Sequence, residues 1–194
     1  WSTWTSAQTL YVISTSASDT GQSIFIEGLD SLYNYQSETI TTNGLTAVPT
    51  TNSYLRLTKA TIQSGNINAN IGDVTFRLVS GTGTVVGHIG PRIGQTKLAP
   101  FTVPAGKTAY LMNIEAGSFN SGVGAIGTQI RLYTRTYGQI FTLLHIGEVV
   151  NGEYIFNYGF PIKITEKSDI DIRAYSSGNG TRVSANFDVL LVDN

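Results

Sequence analysis

The stretch Asp169-Ile170-Asp171-Ile172-Arg173-Ala174-Tyr175 alternates without a break. Ile170, Ile172 and Ala174 fall on one side and the polar or amphipathic residues on the other. That is the period of a strand with one buried and one wet face. The pattern recurs in Val183 to Val189, where Val183, Ala185, Phe187 and Val189 point inward, and in Gln129-Ile130-Arg131-Leu132-Tyr133-Thr134-Arg135. Residues 53–63 alternate with one slip near Thr58-Lys59. A slip of one residue exchanges the faces, so a β-bulge is expected there.

Further strands are expected at Leu10–Ser14, Ser23–Leu29, Tyr35–Thr42, Asp73–Val79, Thr84–Ile89, Lys107–Ile114, Ile140–Ile146 and Glu153–Tyr158. Between them lie residues suited to chain reversal. Asn43-Gly44 is the strongest hairpin signal, and Asn151-Gly152, Ser177-Gly178-Asn179-Gly180 and Pro104-Ala105-Gly106 mark other turns. No stretch shows sustained helical spacing, and a parallel sheet would need crossover helices. The expected fold is therefore all-β, an antiparallel sandwich of jelly-roll type with negligible helix.

The length of 194 residues suits one large β domain. The reading places a single domain at 14–194, with 1–13 as an N-terminal arm or the continuation of a removed segment. The chain opens on Trp1 rather than Met, as expected of a processed or truncated chain or an internal start. Trp1 and Trp4 suit an arm docked on a neighbour. Gly65–Asn70 reads as a loop tip or hinge and Gly117–Gly127 as a flexible stretch. A weak internal repeat relates 73–116 to 127–175 through His88-Ile89-Gly90 and His145-Ile146-Gly147.

Charged residues make up only 13% and the net charge is −1, so no steering field for nucleic acid or an anionic membrane is expected. No apolar run is long enough to span a bilayer. With no cysteine, disulfides and thiolate metal sites are excluded.

Chemistry-bearing residues are sparse. His88 and His145 lack metal-ligand or triad spacing and read as structural. Gly81-Thr82-Gly83-Thr84-Val85-Val86-Gly87 lacks the spacing and following helix of a phosphate loop, and reads as a hairpin turn. Asp169 and Asp171 share a strand face. They suit either calcium ligation or pairing with Arg131 or Arg135 across the sheet. Glu27, Asp30, Glu38, Glu115, Glu148 and Glu153 are the carboxylates from which a glycosidase pair would be drawn. Tyr33, Tyr35, Tyr54, Tyr110, Tyr133, Tyr137, Tyr154 and Tyr158 suit either sugar stacking or subunit contacts. No catalytic, cofactor or metal residue is assigned.

Several stretches carry a family resemblance: Gly28-Leu29-Asp30-Ser31-Leu32-Tyr33-Asn34 with Glu38-Thr39-Ile40 and Asn43-Gly44; Val48-Pro49-Thr50-Thr51-Asn52-Ser53-Tyr54-Leu55-Arg56; Phe101-Thr102-Val103-Pro104-Ala105-Gly106-Lys107-Thr108-Ala109-Tyr110-Leu111; and Arg182-Val183-Ser184-Ala185-Asn186-Phe187-Asp188. From about Ser14 onward the chain resembles virion structural proteins of tailed bacteriophages, of the kind common in marine phages. The resemblance implies a β-rich, non-enzymatic particle protein at the head surface, neck, tail or fibre. It would be a decoration or tail component that self-associates, with a trimer as one option, and binds a neighbouring capsid or tail protein. A host-glycan-binding module is the alternative, and a glycan depolymerase the third reading. The resemblance transfers no site residue.

Overall fold

A computed structural model describes residues 4–64, 70–120 and 127–194. The chain divides into two compact units, Trp1–Leu98 and Ala99–Asn194. This differs from the single domain expected over 14–194. Each unit gathers its own apolar cluster, and periodicity within strands does not say which strands share one. The internal repeat does not follow this division either, because 73–116 crosses from one unit into the other.

The N-terminal unit contains β1 (Gln8–Ser14), β2 (Thr20–Leu29), β3 (Tyr35–Asn43), β4 (Val48–Tyr54), β5 (Arg56–Ser64), β6 (Val74–Arg77) and β7 (Val85–Ile89). The C-terminal unit contains β8 (Pro100–Thr102), β9 (Lys107–Phe119), β10 (Gly127–Arg135), β11 (Thr142–Val150), β12 (Gly152–Ile164), β13 (Asp169–Ser176) and β14 (Arg182–Asp193). The helical structure among the described residues is one 3-10 turn, Ala17–Asp19. All the sheets are antiparallel: β4-β1-β6-β7 with β3-β2-β5, and β11-β10-β13-β8 with β12-β9-β14. Among the described residues each unit thus sets a four-stranded sheet with a three-stranded one around its own apolar cluster, as in a sandwich.

The cores follow from the alternation. In the first unit Leu10 and Val12 of β1 and Phe76 of β6 meet Ile24 and Ile26 of β2 and Ala60 of β5. In the second, Ile130, Leu132, Ile170 and Ile172 from one sheet meet Leu111 and Ile114 from the other. The expected bulge is present: Glu27 pairs with Lys59 and Gly28 with Leu57, leaving Thr58 as the extra residue. The expected single run 53–63 is broken at Leu55 into β4 and β5, which join different sheets. Prolines within strands, Pro49, Pro100 and Pro161, all lie on edge strands, where a missing N–H interrupts no central ladder.

The expected turns reverse the chain, but not as hairpins. At Asn43-Gly44 the Thr46 N–H donates to the Asn43 carbonyl at 2.9 Å and Gly44 has φ +55°. Yet β3 and β4 enter different sheets. The same holds at Asn151-Gly152, at Pro104-Ala105-Gly106 and at 177–180: each carries the chain from one sheet to the other. In contrast, the hairpin turn expected at Gly81–Gly87 is present but lies earlier: residues 78–84 close the β6–β7 hairpin, with the Leu78 N–H on the Thr84 carbonyl at 3.1 Å, and Val85–Gly87 already belong to β7. Of the two stretches read as flexible, 65–69 and 121–126 lie outside the described residues. The flanking Gly117–Phe119 completes β9 and Gly127 opens β10.

Trp4 docks on its own unit rather than on a neighbour. It is buried, and its indole N–H donates to the Tyr54 carbonyl at 2.8 Å. Buried Arg56 returns a bond to the Trp4 carbonyl at 3.0 Å. The expected 1–13 arm therefore contributes an interior strand, β1, flanked by β4 and β6. Trp1 lies outside the described residues.

One buried carboxylate organises the end of this unit. Asp19 is fully buried and accepts from Ser14 Oγ (2.5 Å), Gln22 Nε2 (3.2 Å), and the backbone N–H groups of Ile71 (2.8 Å) and Gly72 (2.9 Å). It ties 70–72 to the start of β2, a contact spanning more than fifty residues of chain.

Candidate interaction face

The outward side of the sheet β11-β10-β13-β8 carries the densest group of charged and aromatic side chains. Its register explains why. Ile130 pairs with Ala174 and Leu132 with Ile172, facing the core. The intervening pairs Gln129–Tyr175, Arg131–Arg173, Tyr133–Asp171 and Arg135–Asp169 therefore face outward.

Although they face outward, Asp169 and Asp171 are only 2% exposed, because side chains fold over them. Arg135 Nε donates to Asp169 Oδ2 at 2.8 Å, its Nη2 closes on the same oxygen, and Thr102 Oγ1 donates to Oδ1 at 2.5 Å. Arg173 reaches Asp171 Oδ2 through Nε and Nη2, each at 2.6 Å. Pairing with Arg135 was one of the two readings of Asp169. For Asp171 the partner is Arg173 on its own strand, two residues along and on the same face, in place of the expected Arg131. Each aspartate is thus held by a guanidinium, the arrangement that lets a carboxylate stay charged out of water. Among the described residues no group of three potential metal ligands forms.

An aromatic layer covers the guanidinium layer. The Arg135 Cζ is 4.5 Å from the Phe141 ring centre, and Arg173 is 5.0 Å from Tyr133 and 5.5 Å from Phe141. Arg131 is 5.5 Å from Tyr175, and Lys167 Nζ 5.7 Å from Tyr137. These are cation–π distances. Around this layer Ile140 is 80% exposed, and Tyr137, Tyr175, Leu143 and Ile146 each stand about half open to solvent. Leu143 and Ile146 share the face because they pair with Tyr133 and Arg131. A surface rich in Arg and Tyr, with apolar residues among them and most charge internally neutralised, has the composition of a protein–protein interface.

The remaining candidates are dispersed. His145 faces the inner side of β11, opposite Leu132. Its Nε2 lies 2.6 Å from Tyr154 Oη, and its ring centre is 4.3 Å from that of Phe156. Gly147, also inward, leaves room for the Tyr154 ring; a Cβ there would lie 2.4 Å from Cζ. The His-Ile-Gly motif is accounted for by packing in this half of the chain. His88 is an exposed partner of Asp73, 2.6 Å away. Of the carboxylates, Asp30 closes its own turn on Leu32 and Asn34 (both N–H at 2.8 Å), and Glu38 accepts the backbone N–H groups of Thr51 and Asn52 (2.8 and 2.9 Å). Glu148 accepts from Gln129 at 2.9 Å. Glu27 lies on β2. Glu115 and Glu153 share a shallow groove across β9 and β12. Tyr54 is interior, its ring packed where a Gly28 Cβ would meet Cδ1 at 2.5 Å.

Burial pushes the His145 pKa below the ordinary imidazole value of 6.5. The unfolded chain therefore takes up this proton more readily than the folded one. The contribution is fully present above the ordinary value and is lost as pH falls below it. Between pH 7.5 and 5, wild-type protein is expected to lose more stability than His145→Gln. Urea midpoints at both pH values check this, and equal losses in the two proteins would contradict it.

Sequence reasoning located the strands of this face but missed the face itself. The available signal was the Arg131-x-Tyr133-x-Arg135 alternation on β10 beside Arg173-x-Tyr175 on β13. Comparison with protein-family models and with curated proteins returns no match.

Proposed function

We propose that this chain is a non-enzymatic structural component of a virus particle, displayed on the particle surface, that associates with itself and with a neighbouring virion protein. The observation that carries the partner-binding part is the arginine–tyrosine face of β10, β11 and β13, with its exposed apolar residues. The virion assignment rests on the family resemblance of the sequence. The neighbour seats on the Tyr175–Ile140 surface, which the buried Asp169 and Asp171 anchor through Arg135 and Arg173.

The test is retention on particles. Antibody against this chain is expected to label particles in negative stain. Tyr175→Ala combined with Ile140→Ser is expected to weaken rebinding of purified protein to depleted particles by about tenfold or more, the loss typical of interface anchors. Both side chains are largely exposed, so circular dichroism should be unchanged. Unlabelled particles would overturn the reading.

A second reading has its own observation: the exposed Tyr137 and Tyr175 rings each stand beside a cation, an arrangement suited to acidic sugars. A glycan array without hits would remove it.

A further inference from the structure

We propose that β14 pairs antiparallel with the β14 of a second copy, about a two-fold axis at Ala185, joining two three-stranded sheets into one of six. The inference rests on the self-association part of the proposed function and names its geometry.

The first observation is the edge. Among the described residues β14 pairs only with β9, so its other side presents unpaired backbone donors and acceptors over twelve residues. Several other edges are interrupted, although β3 is an edge of nine residues without proline or lysine. β12 carries Pro161 and a break in register between Asn157 and Ile162, β4 carries Pro49, and β8 is three residues long with Pro100. β14 has no proline and no lysine. Its residues Arg182 to Asp188 pair with Phe119 to Asn113 without interruption, and the register shifts only after Asp188. That leaves a regular seven-residue template.

The second observation is incomplete cover. The odd-numbered residues of β14 pair with core-facing positions of β9: Val183 with Ser118, Ala185 with Ala116, Phe187 with Ile114. Yet Val183 is 38% exposed, Ala185 is exposed and Phe187 is only half-buried. An element added beside β14 would close that side of the core.

The third observation is charge, and it selects both the occupant and the register. In a continuous sheet the core-facing residues of one copy must meet those of the other, so odd pairs with odd and even with even. Among such registers, one sets Arg182 opposite Asp188. The two-fold repeats this pair, giving two opposite-charge contacts on the outward face. The same register sets Val183 against Phe187, Ser184 against Asn186, and the small Ala185 against itself on the axis. Asn113 Nδ2 holds Asp188 Oδ2 at 2.8 Å, keeping the carboxylate on the outward face. The register that would place Asp188 opposite itself brings like charges together.

The full chain has no cysteine, so single thiols report on the pairing. Ala185→Cys is expected to form a disulfide-linked dimer under mild oxidation, because directly opposed residues in an antiparallel pair fall within disulfide reach. Ser184→Cys, which would face Asn186, is expected to link at least about tenfold more slowly for the same geometric reason. By light scattering, Arg182→Asp is expected to weaken the dimer about tenfold or more, and Arg182→Asp with Asp188→Arg to restore it. Equal cross-linking at the two positions, or a dimer indifferent to charge reversal, overturns the β14 pairing and leaves particle association standing. A wild-type chain that stays monomeric, as it would if another protein's strand occupied this edge, also overturns it. Unlabelled particles instead count against the function proposed above.

Discussion

Replacing Asp19 with alanine is expected to destabilise the N-terminal unit by about 3 kcal/mol or more. The carboxylate is fully buried and satisfies four donors, three of which, on Ser14, Gln22 and Gly72, belong to buried residues. A buried donor left without a partner costs about 1–3 kcal/mol, and bonds to a charged acceptor lie at the strong end of the range. Partial relaxation of the 70–72 segment would reduce the sum without removing it. Asp19→Asn is the sharper variant. It keeps the shape, but its amide NH2 must point at donors, so it should recover little of the loss. Trp4 is buried in this unit and residues 99–194 contain no tryptophan, so urea unfolding followed by tryptophan fluorescence reads the effect directly. A loss under about 1 kcal/mol in both variants would show that the four bonds are not the anchor described.

Arg135→Met is expected to cost the C-terminal unit about 3–5 kcal/mol, because it removes a guanidinium that balances a buried carboxylate. Asp169 is 2% exposed, and the change removes both Arg135 bonds to Oδ2 while Thr102 Oγ1 still donates to Oδ1. The contrast is Arg131→Met. That guanidinium donates to the Gln129 side-chain carbonyl and lies beside the exposed Tyr175, so its removal leaves no buried charge behind. It should cost under about 1 kcal/mol. Combining Arg135→Met with Asp169→Leu should recover much of the single-variant loss, since an apolar pair of similar volume replaces a buried ion pair at little net cost. Denaturation followed by far-UV circular dichroism gives all three values. Equal losses for Arg135→Met and Arg131→Met would refute the assignment of Arg135 as the counter-ion.

Strand identity was legible because alternation is a local property. Ile170 and Ile172, or Val183 to Val189, can be assigned to faces from neighbours two residues away. Even the slip at Thr58-Lys59 translated into the observed bulge. The candidate face was only half legible. Arg131, Tyr133 and Arg135 declare a wet strand face. That Arg135 covers Asp169, and that Phe141 lies over two guanidiniums, depends on partners up to thirty-four residues apart. The role of Asp19 left no trace in the sequence, because three of its four donors are backbone groups or residues that any turn could contain.

The amino-acid order by itself determined an all-β chain, the position of most strands and the places where the chain reverses. Those features follow from side-chain period and from residues that tolerate positive φ, both decided within a few residues. Only the tertiary structure decided that Asn43-Gly44 and Asn151-Gly152 lead from one sheet to the other rather than closing hairpins, and that the strands divide at Leu98 into two sandwiches. The reason is physical. A turn sets the direction in which the chain leaves, whereas the sheet a strand joins is chosen by backbone pairing and apolar burial against distant segments.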